Sequence, residues 1–123
     1  MLGVELNPVA ARDAAANARR NHLNNAHFLC ADATQYMEKL AADGVRPDVV
    51  FLDPPRAGST PQFIAALAKM APEKVVYVSC DPGTLARDLA LFAAKGYKAR
   101  AIQPVDMFPH SEHIETVVLM SRK

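Results

Sequence analysis

Asp48-Val49-Val50-Phe51-Leu52-Asp53-Pro54-Pro55-Arg56 is the stretch on which the fold turns. Val49 to Leu52 run without a polar residue between them, the mark of a strand buried on both faces, as in a parallel sheet. An acid stands where the strand ends. Two consecutive prolines then fix φ and forbid a helix, so the backbone leaves the sheet rigidly. Open parallel sheets bind ligands beyond the carboxyl ends of their strands, which directs attention to the residues after Leu52.

The same alternation extends both ways. Upstream, Leu2 to Leu6 reads as a strand, and Asn7-Pro8 opens a helix that the Ala-rich stretch carries to about Leu23. His27 to Cys30 is a second strand, and Asp32 caps a helix reaching Gly44. Downstream, Thr60-Pro61 begins a helix with Phe63, Ile64, Leu67 and Met70 on one face. Lys74 to Val78 is the fourth strand. Asp81-Pro82 opens a helix with Leu85, Leu89 and Phe92 on one stripe and Gly96 at its end. Tyr97–Val105 and Ile114–Ser121 are strands with no helix between them. The expectation is one α/β domain over residues 1–123, its sheet mostly parallel with an antiparallel last strand.

Composition narrows the function. Fourteen basic against thirteen acidic residues leave a net charge of +1, which excludes binding of nucleic acid by bulk charge. No apolar run approaches the ~20 residues of a membrane span, and the Met1-Leu2-Gly3-Val4-Glu5 start is not a signal peptide. Two cysteines, Cys30 and Cys80, make neither a disulfide framework nor a CxxC pair, so a reducing, cytoplasmic setting is expected.

The strand ends place Glu5, Asp32, Asp53 and Cys80 on one rim. Asp32 and Asp81 also suit plain helix caps. Cys80 sits between a buried strand and a helix N-terminus, whose positive end favours a thiolate; an inert buried thiol is the structural alternative. Cys30, inside a strand run, suggests only that inert role. Near the C-terminus, Glu115 enters the apolar run Thr116-Val117-Val118-Leu119-Met120, and His113 would share its face. Cys80, His110 and His113 do not make a usual metal site, and no metal is expected.

These motifs occur in one order: Asp53-Pro54-Pro55-Arg56-Ala57-Gly58, Val76 to Pro82, Thr84-Leu85-Ala86-Arg87-Asp88, Asp106-Met107-Phe108-Pro109, and His113-Ile114-Glu115. Together they resemble the C-terminal catalytic part of the S-adenosylmethionine-dependent RNA uracil-5-methyltransferases, which act on tRNA or ribosomal RNA. Gly3-Val4-Glu5 is similar to that family's segment after its first methyltransferase strand. The resemblance implies a Rossmann-like class I methyltransferase sheet and an RNA substrate. It makes Cys80 the nucleophile that adds to uracil carbon 6, and Glu115 the base that removes the proton from carbon 5. Glu5 would hold the ribose of S-adenosylmethionine, Asp32 its adenine, and Asp53 would lie near the methionine end or the target base, with Pro54 and Arg56 on the substrate side. The family commonly has Asn after the nucleophile where this chain has Asp81. Two further readings stay open: another S-adenosylmethionine-dependent RNA methyltransferase, and a non-catalytic piece of the fold. A cysteine hydrolase using Cys80, His113 and Glu115 has no independent support.

The resemblance also implies what would stand before Met1: the glycine-rich first motif, the strand preceding it and an N-terminal RNA-binding domain. No GxGxxG-like loop and no iron–sulfur cysteine set occur in the sequence. Weak cofactor binding and weak or undetectable activity of the chain alone are therefore expected. In the family's sheet a strand lies between those at Leu2–Leu6 and Asp48–Leu52. Without it, these two are expected to pair directly or to be bridged by another chain, with self-association through the open edges.

Overall fold

The computed structural model describes every residue from Met1 to Lys123. In chain order the elements are β1 (Leu2–Glu5), α1 (Pro8–Arg20), β2 (His27–Cys30), α2 (Ala33–Ala42), β3 (Val49–Leu52), α3 (Pro61–Met70), β4 (Lys74–Ser79), α4 (Pro82–Ala94), β5 (Tyr97–Val105) and β6 (Glu115–Arg122). Every helix starts on the residue that suits it chemically. The side-chain oxygens of Asn7, Asp32, Thr60 and Asp81 accept backbone N–H groups in the first turns of α1 to α4, and proline follows three of these caps.

The strands form two sheets. β1 pairs with β2 in parallel, and the second sheet runs β3-β4-β6-β5. In it β3 and β4 are parallel, while β6 lies antiparallel to both β4 and β5, as expected for the final strand. One face of the larger sheet packs on α3 and α4. Leu52, Val75, Tyr77, Val118 and Met120 meet Ile64, Leu67, Leu85 and Phe92 there, and Tyr77 and Tyr97 both contact the Phe92 ring edge to face. α2 packs on α3 and joins the two sheets.

Three expectations are corrected. β1 and β3 do not pair: each is bonded only to its own neighbour, β2 or β4. α2, which follows β2, packs on α3, which covers the larger sheet, and this contact sets the place of the two sheets without a β1–β3 ladder. Nor is β3 buried on both faces. It is an edge strand, and although Leu52 faces the core, Phe51 on the opposite face is 74% exposed. Cys30 is exposed rather than buried, because it ends β2, and its thiol donates to Leu6 O at 3.5 Å. A smaller difference is the early end of α1 at Arg20: His22 takes a left-handed φ of 57° and Leu23 N–H closes back on Ala18 O at 2.9 Å.

Candidate active site

The β4–β6 ladder ends beside the two candidate catalytic residues, Cys80 just after β4 and Glu115 at the start of β6. Its antiparallel register pairs Val78 with Val117 and Ser79 with Thr116. Continued by one residue, it sets Cys80 opposite Glu115. Directly opposed residues on antiparallel strands share a face, with Cβ atoms about 5 Å apart. That face is the one turned away from α3 and α4, since the alternate residues Thr116, Val118 and Met120 are the buried ones. Cys80 and Glu115 are both partly exposed, so neither is sealed in the core.

Local hydrogen bonds fix the turn that carries the thiol. Ser79 Oγ donates to Asp81 O at 2.9 Å and accepts from Asp81 N–H at 3.1 Å, which closes the backbone around Cys80. Asp81 then caps α4, accepting from Thr84 N–H at 2.8 Å. That bond, with smaller help from the Thr84 hydroxyl, Gly83 N–H and the Arg56 charge, holds the Asp81 carboxyl below its ordinary range. Asp81 therefore stays ionised beside the thiol at neutral pH.

The loop after β3 lies against the same helix. Thr84 Oγ1 donates to Arg56 O at 2.9 Å, Arg87 Nη2 donates to Ala57 O at 2.8 Å and Ser59 O at 3.2 Å, and Ser59 N–H donates to Asp88 at 2.6 Å. Asp88 is fully buried, and it also accepts from the Tyr77 hydroxyl at 2.6 Å and pairs with Arg87 at 2.7 Å. Burial, followed by this bond to Asp88, holds the Tyr77 phenol well above its ordinary range. The Arg56 guanidinium reaches across to the segment before β6, where Nη2 donates to His113 Nδ1 at 2.6 Å. β6 begins at Glu115, one residue later than expected, so His113 shares no strand face with Glu115 and serves as the partner of Arg56 instead.

Asp53 is exposed, follows β3 directly and makes no side-chain hydrogen bond within the chain; Pro54 beside it is half-buried. Glu5 and Asp32 stand at the carboxyl end of the smaller sheet, away from the Cys80 group. Glu5 Oε1 accepts from Asn7 N–H at 2.8 Å and Asp32 Oδ1 from Gln35 N–H at 2.9 Å, so each keeps a second oxygen with no partner in the chain. The capping role foreseen for Asp32 and Asp81 is real for both. No group of three or more His, Cys, Asp or Glu residues could hold a metal ion.

The site thus comprises the Cys80 turn after β4, Glu115 at the start of β6, and a Pro-Pro-Arg loop fastened over the start of α4. The family model for tRNA (uracil-5-)-methyltransferases matches residues 2–123. The chain belongs to this family. Among its relatives, an uncharacterized RNA methyltransferase of Clostridium tetani is 48% identical over 119 residues, 97% of this chain and 26% of that protein. A counterpart from Enterococcus faecalis is 47% identical over 120 residues, again covering 26% of its length. The chain therefore spans about a quarter of the curated relatives it matches. Among solved structures, the Pyrococcus abyssi tRNA (uracil-54, C5)-methyltransferase in complex with S-adenosyl-L-homocysteine shares 34% identity and a TM-score of 0.81, over 97% of this chain and 28% of that one. NSun6 from Pyrococcus horikoshii, at 16% identity and a TM-score of 0.76 over 98% of this chain and 41% of that one, shares the class I methyltransferase fold.

Arg87 and Asp88 belong to a motif singled out in the sequence, but the network that they form was not read from it. Its signal was present: Leu85, Asp88, Leu89 and Phe92 follow the i, i+3, i+4, i+7 spacing, so Asp88 is a charge placed on an apolar stripe. The Arg56–His113 contact had no such signal, because the two residues are 57 positions apart.

Proposed function

We propose that this chain carries the catalytic residues for transfer of a methyl group from S-adenosylmethionine to carbon 5 of a uridine in RNA, tRNA or ribosomal RNA, through a covalent bond between Cys80 and uracil carbon 6, with weak activity on its own. The observation that supports the reading is the β4–β6 ladder, whose last pair, Ser79 and Thr116, directly precedes Cys80 and follows Glu115. Membership of the uracil-5 family and the S-adenosyl-L-homocysteine held by the Pyrococcus abyssi relative support it.

The residues fit the cofactor. Glu5 and Asp32 each present a free carboxylate oxygen at a strand end, which suits the hydroxyls of a ribose and the amino group of adenine. Asp53, unpaired after β3, is on the side of the methionine end or the target base. When bound, the cofactor supplies an electrophilic methyl group.

Carbon 5 of uracil is too weak a nucleophile to take that methyl unaided. The Cys80 thiolate adds its electron pair to carbon 6, and the carbon 5–carbon 6 π electrons move toward the carbon 4 oxygen as an enolate. The enolate returns its electrons through carbon 5 to the methyl carbon, whose bond to the sulfonium sulfur breaks and leaves its electron pair on that sulfur as a neutral thioether. Carbon 5 then carries both methyl and hydrogen. Glu115 takes the proton, the carbon 5–carbon 6 double bond reforms, and the carbon–sulfur bond breaks to return the Cys80 thiolate. Arg56 and Pro54 line the side where the base and its phosphates approach. The test is RNA with uridine as the only modifiable base, incubated with excess S-adenosylmethionine. Formation of 5-methyluridine that disappears in Cys80→Ala supports the reading; methylation at another atom, or undiminished product with Cys80→Ala, overturns it.

A further inference from the structure

We propose that Arg87 and Asp88 are positioning residues that lock the loop following β3 to the helix that carries the Cys80 turn, so that Arg56 and the thiol are held as one unit. The geometry stands by itself; its consequence for rate rests on the methyl-transfer reading above. A buried carboxylate on an apolar stripe is a poor device for stability, since hydrophobic residues of similar volume commonly serve a core as well or better. Its value here is directional. Four backbone groups of the loop, Arg56 O, Ala57 O, Ser59 N–H and Ser59 O, all end on the Thr84–Asp88 turn of α4. Thr84 is also the residue whose N–H is capped by Asp81, next to the thiol. Gly58 leaves no slack between loop and helix, because a Cβ there would lie 2.6 Å from both Arg87 Nη2 and Asp88 Oδ2. The Arg56 guanidinium, held by this backbone, then meets His113 just before the strand that begins with Glu115.

Two variants separate positioning from plain stability. Arg87→Met removes the bonds to Ala57 O and Ser59 O together with the ion pair to buried Asp88, and Tyr77→Phe removes the hydroxyl bond to the same Asp88 while leaving the loop tied. The readout is the rate of Cys80 adduct formation with 5-fluorouridine RNA at saturating RNA and excess S-adenosylmethionine, with Tm measured in parallel. Arg87→Met is expected to lose roughly tenfold in rate, as small misplacements of reacting groups do, while Tyr77→Phe keeps its rate whatever its loss of Tm. Rates that follow Tm in both variants, or no loss in Arg87→Met, overturn the proposal. Should the unsubstituted chain form no adduct, in keeping with the weak activity expected of the chain alone, positioning is read from hydrogen exchange of the Gly58 and Ser59 amides. Faster exchange in Arg87→Met than in Tyr77→Phe supports it, and equal exchange overturns it.

Discussion

Replacing Gly58 by alanine should destabilise the chain far more than the same change at Gly44, although both glycines have almost the same backbone conformation, φ +74° and +73°. An L-residue in that left-handed region costs roughly 1–2 kcal/mol, offset by about 0.4–1 kcal/mol from the stiffer unfolded chain. Gly44→Ala carries only that balance, about 1 kcal/mol, because nothing lies within 4 Å of its new Cβ. At Gly58 the new Cβ would lie 2.6 Å from Arg87 Nη2 and Asp88 Oδ2, and 3.2 Å from Thr84 Cβ. Arg87 is the half-exposed partner, so it gives way first and surrenders its bonds to the loop. Hydrogen bonds to charged groups are worth about 1.5–3 kcal/mol each, and two of them at the low end, suited to a half-exposed donor, bring the expected loss at Gly58 to about 4 kcal/mol. For a domain of this size that is a fall in Tm of about 15 °C, against about 4 °C for Gly44→Ala. Thermal unfolding followed by circular dichroism measures both. Equal losses in the two variants would refute the view that the loop is held tightly against α4.

Three further outcomes are expected. The Asp81→Asn variant keeps the helix cap while removing a negative charge beside the thiol, so it should unfold like the parent and alkylate faster at Cys80 with iodoacetamide in a Cys30→Ser background; slower alkylation would contradict the electrostatics. Burial raises both the Tyr77 and Tyr97 phenols, so the stability they contribute is complete below about pH 10, the ordinary tyrosine value, and is lost as pH rises beyond it toward their folded values. Urea unfolding across that range should show a decline that flattens when both are phenylalanine, and an unchanged decline would remove them as its cause. Finally, the open β1 and β3 edges and the exposed Phe51 favour self-association, which sedimentation should detect as a rise in mass with concentration that Phe51→Lys suppresses; a monomer at every concentration would count against it.

Element order was readable because each helix begins on a residue whose side chain can take its first amide hydrogens, and proline follows three of those caps. That Cys80 and Glu115 serve one site was read only from motif order; the β4–β6 register that ends beside them is specified by no local signal. The burial of β3 was misjudged for a related reason. An apolar run reports that a strand suits a covered sheet, whereas Phe51 stands on an edge that nothing covers. Cys30 was misplaced by the same logic, as the last residue of a two-stranded sheet is not an interior one. The early stop of α1 left no trace either, because the left-handed position that ends it is held by His22 rather than glycine.

The most direct test of the mechanism uses ordinary uridine RNA with S-adenosylmethionine and the Glu115→Gln variant. With the proton on carbon 5 left in place, the Cys80–uracil bond cannot break, so mass spectrometry should find an RNA-linked peptide containing Cys80 and a methylated uracil, absent when Cys80 is also alanine. Release of free 5-methyluridine at the parent rate, or a crosslink through any other residue, would contradict the roles given to this thiol and this carboxylate.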